Sequence, residues 1–288
     1  MEFVFLGTAA AEGIPAAYCR CAQCEGVRKR GGVEIKSRSA LRIGAQTQID
    51  ISPDNHWQML RHGLDMYDVR HLLITHTHAD HFGLTQLTDK TMAEVRNGEP
   101  LVIYMSRPGK EYVFTLRRGL HDERATLERL ESWFPVVALE YFSRYAVGDF
   151  TVETVKGNHT GSTEEEKSIN YLVTAPGGRS LFYALDTGYY LEETWEFLED
   201  KHTDLLVMEC TFGARTDRGE FPSDHLDIAS FLRMLERMSA IGFIDGGTTI
   251  FATHVNPHQG LAHREIQERF DQSPVRVTVA YDGLRTEL

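Results

Sequence analysis

Short apolar runs punctuated by glycine-containing turns fill the first part of the chain. "EFVFLG", "SALRIG", "TQIDIS" and "HLLIT" have the compact β-branched and aromatic character of strands, and "WQMLRHGL" reads as a short helix. The rhythm breaks at "KEYVFTLRRGLHDERATLERLESWF", whose spacing is helical; residues 107–147 are expected to form a helical insertion over the core. Strands return at "FTVETVKG", "INYLVTA", "SLFYALD" and "DLLVMEC". In "LDIASFLRMLERM", Leu226, Ala229, Leu232, Leu235 and Met238 recur at near-helical spacing, which predicts a helix face packed on a core. "TTIFATH" follows as a strand, "LAHREIQERF" as a helix and "VRVTVAYDG" as the last strand. Mixed elements in this order predict a layered α/β fold, taken as one domain over 1–288.

Composition narrows the class. With 288 residues, 25% charged and 42% hydrophobic, the chain has the make-up of an ordinary globular protein. No apolar run approaches the ~20 residues that span a bilayer, and "MEFVFLGTAAAEG" lacks the basic start of a signal peptide. A cytoplasmic protein without a membrane partner is expected. The net charge of −12 disfavours nucleic acid, whose binders gain affinity from basic patches. It leaves room for a small phosphate ester, because bound divalent ions dominate a local field.

Candidate ligands gather where predicted strands end. "HTHADH" (76–81) places His76 and His78 two apart in an extended segment, on one side of the chain, with Asp80 and His81 in the turn that follows. His159 follows "VETVKGN", Asp186 ends "LFYALD" and His254 ends "IFATH". Imidazoles and carboxylates at strand ends suit zinc, manganese or iron. A second cluster, "CRCAQC", holds Cys19, Cys21 and Cys24, three of the four cysteines. Three thiolates need a fourth ligand to close a tetrahedral zinc site, and His258 or Cys210 can supply it.

"HTHADH", with the later "NHT", "ALDTG" and "ATH", resembles the metallo-β-lactamase superfamily. The resemblance implies a four-layer αββα sandwich and a dinuclear hydrolase site. In it His76, His78 and His159 hold one metal, Asp80, His81 and His254 the other, and Asp186 bridges them. Asp50 in "QIDIS" matches a buried aspartate that orients the first histidines, an arrangement that fixes imidazole tautomers. The "FLGT" start, the cysteine cluster and the terminal His254 and His258 narrow the match. Together they are similar to the phosphoribosyl 1,2-cyclic phosphate phosphodiesterase branch, although the His254–His258 spacing is one residue longer than in that branch and the 107–147 segment is also longer. The branch implies a structural zinc on Cys19, Cys21, Cys24 and His258, two divalent metals (zinc or manganese, or iron) in the active site, and a homodimer as a common assembly. A histidine placed like His225 contacts substrate there and acts as general acid, suiting a side chain that titrates near neutral pH.

The expected activity is therefore hydrolysis of a small cyclic phosphodiester. Asp80 tunes the attacking water and His225 protonates the leaving oxygen, with Asp224 as N-cap of the following helix and Arg117 or Arg118 as weaker candidates for holding a ribosyl phosphate. An RNA-processing nuclease shares the histidine motif but fits the acidic charge poorly. A non-catalytic metal-binding protein of the same fold is the rival from another class. Lactamase and thioesterase activities belong to the same superfamily, and the cysteine cluster speaks against them.

Overall fold

A computed structural model describes residues 1–95, 97–120, 131–259 and 261–288, with the backbone alone for 116–120. Two seven-stranded sheets lie face to face. The first comprises β1 (Glu2–Gly7), β2 (Ala40–Ile43), β3 (Thr47–Ile49), β4 (His71–Leu73), β5 (Val102–Ser106) and β6 (Val136–Leu139), with β14 (Arg285–Glu287) beside β1. The second runs β13 (Thr278–Val279), β12 (Thr249–Thr253), β11 (Leu205–Glu209), β10 (Ser180–Ala184), β9 (Lys167–Thr174), β8 (Phe150–Thr160) and β7 (Arg144–Val147). β3 through β6 are mutually parallel, as are β10 through β13.

The two-residue period of a strand sorts side chains between faces. Leu205, Val207, Leu181, Tyr183 and Phe251 point between the sheets, where they meet Phe3, Phe5, Leu41, Ile49 and Leu73. Their neighbours Leu206, Met208, Phe182, Ala184 and Ala252 point outward to a helical layer. That layer contains α5 (Glu192–Leu198), α6 (Ile228–Ala240) and α7 (His263–Phe270), which contribute Trp195, Phe231, Met234 and Phe270. On the other outer face lie α2 (Asn55–His62), α3 (Thr88–Met92) and α4 (Arg107–Leu120), over Leu72, Ile74, Ile103 and Met105. α1 (Ala22–Arg30) begins within the cysteine cluster. Strands buried on both faces explain why the runs read as nearly continuous apolar stretches. Four layers, αββα, result.

Two expectations need correction. Of 107–147, Arg107–Leu120 forms the helix α4, which leads from β5 towards β6, and 131–133 are helical too; 121–130 lie outside the described residues, as do the Arg117 and Arg118 side chains. Residues 136–147 contain β6 and β7, edge strands of the two sheets, so they extend the sandwich. The N-cap of α6 is Asp227, not Asp224: Asp227 Oδ1 accepts from Ser230 N (2.7 Å), and Ser230 Oγ accepts from Asp227 N (2.9 Å). Asp224 has left-handed backbone (φ 68°) and turns the chain back towards the sheet ends. No helix among the described residues is long and apolar enough to cross a membrane.

Candidate metal centre

Parallel strands deliver their C-terminal ends to one edge of the sandwich, the usual place for a site in such sheets. β3 leads to Asp50, β4 to His76, β10 to Asp186 and β12 to His254; β11 ends in Glu209. Three of these turns have non-glycine residues in the left-handed region: Asp50 (φ 61°), Asp186 (φ 48°) and His254 (φ 58°). Such backbone is sparsely populated and persists where the surroundings over-determine it. Here it swings each side chain from the strand axis into the gap between sheets.

Around Asp186 the predicted side chains converge. His81 Nε2 is 3.0 Å and His76 Nε2 3.3 Å from its Oδ2, and His254 Nε2 is 3.1 Å from its Oδ1. His78 turns Nδ1 inward, 2.9 Å from His76 Nε2 and 3.2 Å from His159 Nε2. Asp80 Oδ2 lies 3.2 Å from His81 Nε2 and 3.7 Å from His254 Nε2. The predicted ligands fall into two compact donor sets, His76–His78–His159–Asp186 and Asp80–His81–Asp186–His254, in each of which the donor atoms lie within 4.8 Å of one another; Asp186, Glu209, His225 and His254 form a third group of the same compactness. Asp186 belongs to all three.

Donor chemistry fits two cations. Asp186 Oδ1 is buried and has no hydrogen-bond partner among the described residues. Burial, with His81 adding to it, holds His76 well below the usual imidazole range, so it presents a neutral lone pair. Burial likewise lowers His159, whereas Asp80 and Asp186 outweigh burial and hold His81 well above the usual range; neutral imidazoles and carboxylates gathered on Asp186 suit bound cations.

Hydrogen bonds outside the donor sets hold them. Asp50 accepts from Thr75 N through Oδ1 (2.8 Å), and its Oδ2 lies 2.7 Å from His81 Nδ1, which leaves Nε2 of that ring for the site. It reaches His76 only through the Thr75 hydroxyl, 3.2 Å from His76 Nδ1. Between His76 and His78, Thr77 N donates to Glu166 Oε1 (3.1 Å) and the Thr77 hydroxyl to Glu166 Oε2. Glu166 also accepts from Ser162 N (3.0 Å) and from Ser106 Oγ (3.3 Å), so one fully buried carboxylate ties the histidine turn to β5 and to the β8–β9 turn. Burial raises its pKa, opposed by these donors. The side chain fills the space above Gly161, where a Cβ would come within 2.2 Å of Oε2.

His225 stands at the open side, its side chain 20% exposed, with Nδ1 3.7 Å from Asp186 Oδ1 and its ring 4.7 Å from that of His159. Glu209, fully buried at the end of β11, places Oε2 3.2 Å from the same Nδ1. Glu209 also accepts from the backbone N–H groups of Thr187 (2.8 Å) and Leu226 (3.3 Å) and from the Thr211 hydroxyl. Burial pushes the imidazole down, but Glu209 and Asp186 outweigh it and hold His225 at about 9. Neither Glu209 nor Glu166 stood out in the sequence. The one signal for Glu209 was a carboxylate closing an otherwise apolar strand, "DLLVMEC".

At the second cluster, the sulfurs of Cys19, Cys21 and Cys24 lie within 4.8 Å of one another. Cys21 Sγ accepts from Cys24 N (3.5 Å) at the N-cap of α1, which lowers its pKa, and Cys19 Sγ accepts from Cys21 N (3.4 Å). His258 is exposed and lines the same surface depression as Cys21, but its ring is not part of the donor group among the described residues. Cys210 is packed in the core under α6, and burial pushes its thiol up, so it is a core side chain.

Comparisons with known proteins bear on the family and the fold. The model of the family "Anti-Pycsar protein Apyc1" matches residues 42–221, more than half of the chain. Ribonuclease Z of Pyrococcus abyssi (strain GE5 / Orsay) is 26% identical over 258 residues, covering 76% of this chain and 78% of that protein. An octanoyltransferase of Porphyromonas gingivalis (strain ATCC BAA-308 / W83) is 34% identical over 87 residues, and the match spans only 17% of its length. Among solved structures, zinc-bound PqqB of Methylobacterium extorquens superposes over 100% of both chains (TM-score 0.73, 18% identity). A diphosphatase of the PhnP family covers 99% of this chain and 96% of its own (TM-score 0.71, 19% identity). The fold expected from "HTHADH" is thus the fold found, and the chain belongs to the Anti-Pycsar protein Apyc1 family, metal-dependent hydrolases of the metallo-β-lactamase fold.

Proposed function

We propose that this hydrolase cleaves a small cyclic phosphodiester, such as phosphoribosyl 1,2-cyclic phosphate, at two divalent ions shared across Asp186. The observation that carries the reading is the pair of donor sets meeting at one carboxylate, with a histidine–glutamate pair on their open side. His76, His78 and His159 would hold one ion and Asp80, His81 and His254 the other. Zinc and manganese suit this mixture of imidazole and carboxylate. Bound there, two such ions lower the pKa of a water and neutralise phosphoryl oxygens.

The chain's own groups supply the rest. Asp80, whose Oδ2 lies 3.2 Å from His81 Nε2, would tune the attacking water. His225, protonated at neutral pH beside Glu209, donates to the oxygen that leaves. Glu209 fixes the tautomer by taking Nδ1, so the proton delivered sits on Nε2. A structural zinc that Cys19, Cys21 and Cys24 would hold, with His258 as the candidate fourth ligand from the same surface depression, belongs to this reading, as does a cytoplasmic place of action, where thiols stay reduced.

The ribonuclease Z match favours a second reading, cleavage of RNA. The net charge of −12 weighs against it, since a polyanion gains affinity from basic surface. Metal-loaded protein tested on linear diesters, cyclic diesters and structured RNA separates the two. Turnover of the cyclic compounds supports the first reading, turnover of RNA alone replaces it, and hydrolysis of none contradicts both.

A further inference from the structure

We infer that Arg218 forms a subsite for a second phosphate on the substrate, beside the diester that is cleaved; the inference rests on the phosphodiesterase reading above. Arg218 lies on the segment between β11 and α6 that also carries Phe212 and His225. Its guanidinium carbon sits 4.3 Å over the centroid of the Phe212 ring, and that ring meets His225 edge-on at 5.7 Å. Aromatic ring and cation thus form a short platform leading away from the proton donor.

The guanidinium is under-used. Among the described residues its one hydrogen bond runs from Nη2 to the Ser223 carbonyl at 3.4 Å, and the buried Nε of this half-buried residue has no partner. Arg215, on the same segment, is taken by Asp217, whose carboxyl also feels the Arg218 charge, but no carboxylate comes within ion-pair distance of Arg218 among the described residues. A desolvated donor without a partner costs free energy unless a ligand fills it. Nearby carboxylates also matter: Asp80, Asp186 and Glu209 line the floor and Asp224 the rim of the site, so a doubly anionic substrate meets repulsion that a cation at the rim offsets. Phe212 supports the guanidinium, and the fork of donors that a guanidinium carries suits the paired oxygens of a phosphate monoester. An uncharged base stacked on Phe212 would gain little from an unpaired charge, so the phosphate is the better occupant.

The test uses the full chain loaded with divalent metal and a matched pair of probes, adenosine 2′,3′-cyclic phosphate and its 5′-phosphorylated counterpart. Affinities come from calorimetry and from inhibition of bis(p-nitrophenyl) phosphate hydrolysis, so the comparison does not require either probe to turn over. Wild type is expected to prefer the 5′-phosphorylated probe on the order of tenfold to a hundredfold. Arg218→Ala should erase the preference, acting on Kd and KM more than on kcat, and Arg218→Lys should restore part of it. Arg218→Gln, which keeps its stem over Phe212, serves the same comparison if the alanine variant unfolds. An equal affinity of wild type for both probes, or an unchanged preference in the variants, overturns the subsite. Absence of bis(p-nitrophenyl) phosphate hydrolysis would instead count against the phosphodiesterase reading, while the calorimetric ratio still judges Arg218.

Discussion

Glu209 Oε2 lies 3.2 Å from Nδ1 of His225, and the carboxylate is wholly buried while the imidazole reaches the open side of the site. The carboxylate sets which imidazole nitrogen carries the transferable proton. Glu209→Gln should therefore lower kcat by about 10²-fold on a diester with an alkoxide leaving group, the range of general-acid contributions. A p-nitrophenyl diester, whose leaving group needs no proton, should lose far less. Equal losses on both substrates, with metal content unchanged, would remove the proton-donor role.

Asp50 and His81 form the second such pair. Asp50→Asn places an amide where the His81 Nδ1–H is received, so the ring can no longer be held in its present tautomer. Metal affinity of the Asp80–His81–His254 set should fall by about 10–100-fold, as for other groups that orient ligands. Equilibrium dialysis against a competing chelator measures it.

Removing Glu166 should show as lost stability. Glu166→Ala leaves Thr77 N and Ser162 N without their acceptor in a buried turn, each at a cost of about 1–3 kcal/mol. A lower Tm with slackened metal binding is expected, and Glu166→Gln should recover part of both. A melting curve like that of wild type contradicts the role.

Cys24→Ser tests the thiolate cluster. The variant should lose one slowly exchanging zinc and keep the exchangeable metals of the histidine site. Elemental analysis after brief chelation reads the difference; a single class of metal lost together would contradict two sites.

Lys36 gives a pH-dependent prediction. It is buried with Nζ donating to the Ala280 carbonyl (2.6 Å) and to Thr8 Oγ1 (3.3 Å), and burial lowers it from 10.5 to about 8, with Asp282 opposing. Between those values the unfolded chain holds a proton that the folded chain has released, so this residue's contribution to stability rises with pH across that window. The stability of wild type relative to Lys36→Met should climb from pH 8 to 10. A flat or falling difference in urea melts would contradict the assignment.

Much of this was legible in the sequence because strands announce themselves locally. β1, β10, β11 and β12 coincide with apolar runs, and the ends of β10 and β12 with Asp186 and with His254, which meets it. Spacing within "HTHADH" already carried four of the donors. What stayed hidden depends on contacts remote in the chain. Glu209 matters because parallel pairing of β10 with β11 brings it under His225, and Glu166 because a hairpin turn folds over Thr77, 89 positions away. The edge strands β6 and β7 read as insertion because they are only four residues long, partly exposed, and follow a long helical stretch that sets the local pattern. Asp224 and Asp227 are equivalent as caps by sequence; the backbone decides between them.

The central claim is that two metal ions across Asp186 drive phosphodiester hydrolysis. Its most direct test is titration of chelator-treated protein with zinc or manganese while following bis(p-nitrophenyl) phosphate hydrolysis, with the thiolate site kept filled. Activity should rise to a plateau at two equivalents and be lost in Asp186→Ala. Activity complete at one equivalent, or unaffected by Asp186→Ala, would contradict the dinuclear account.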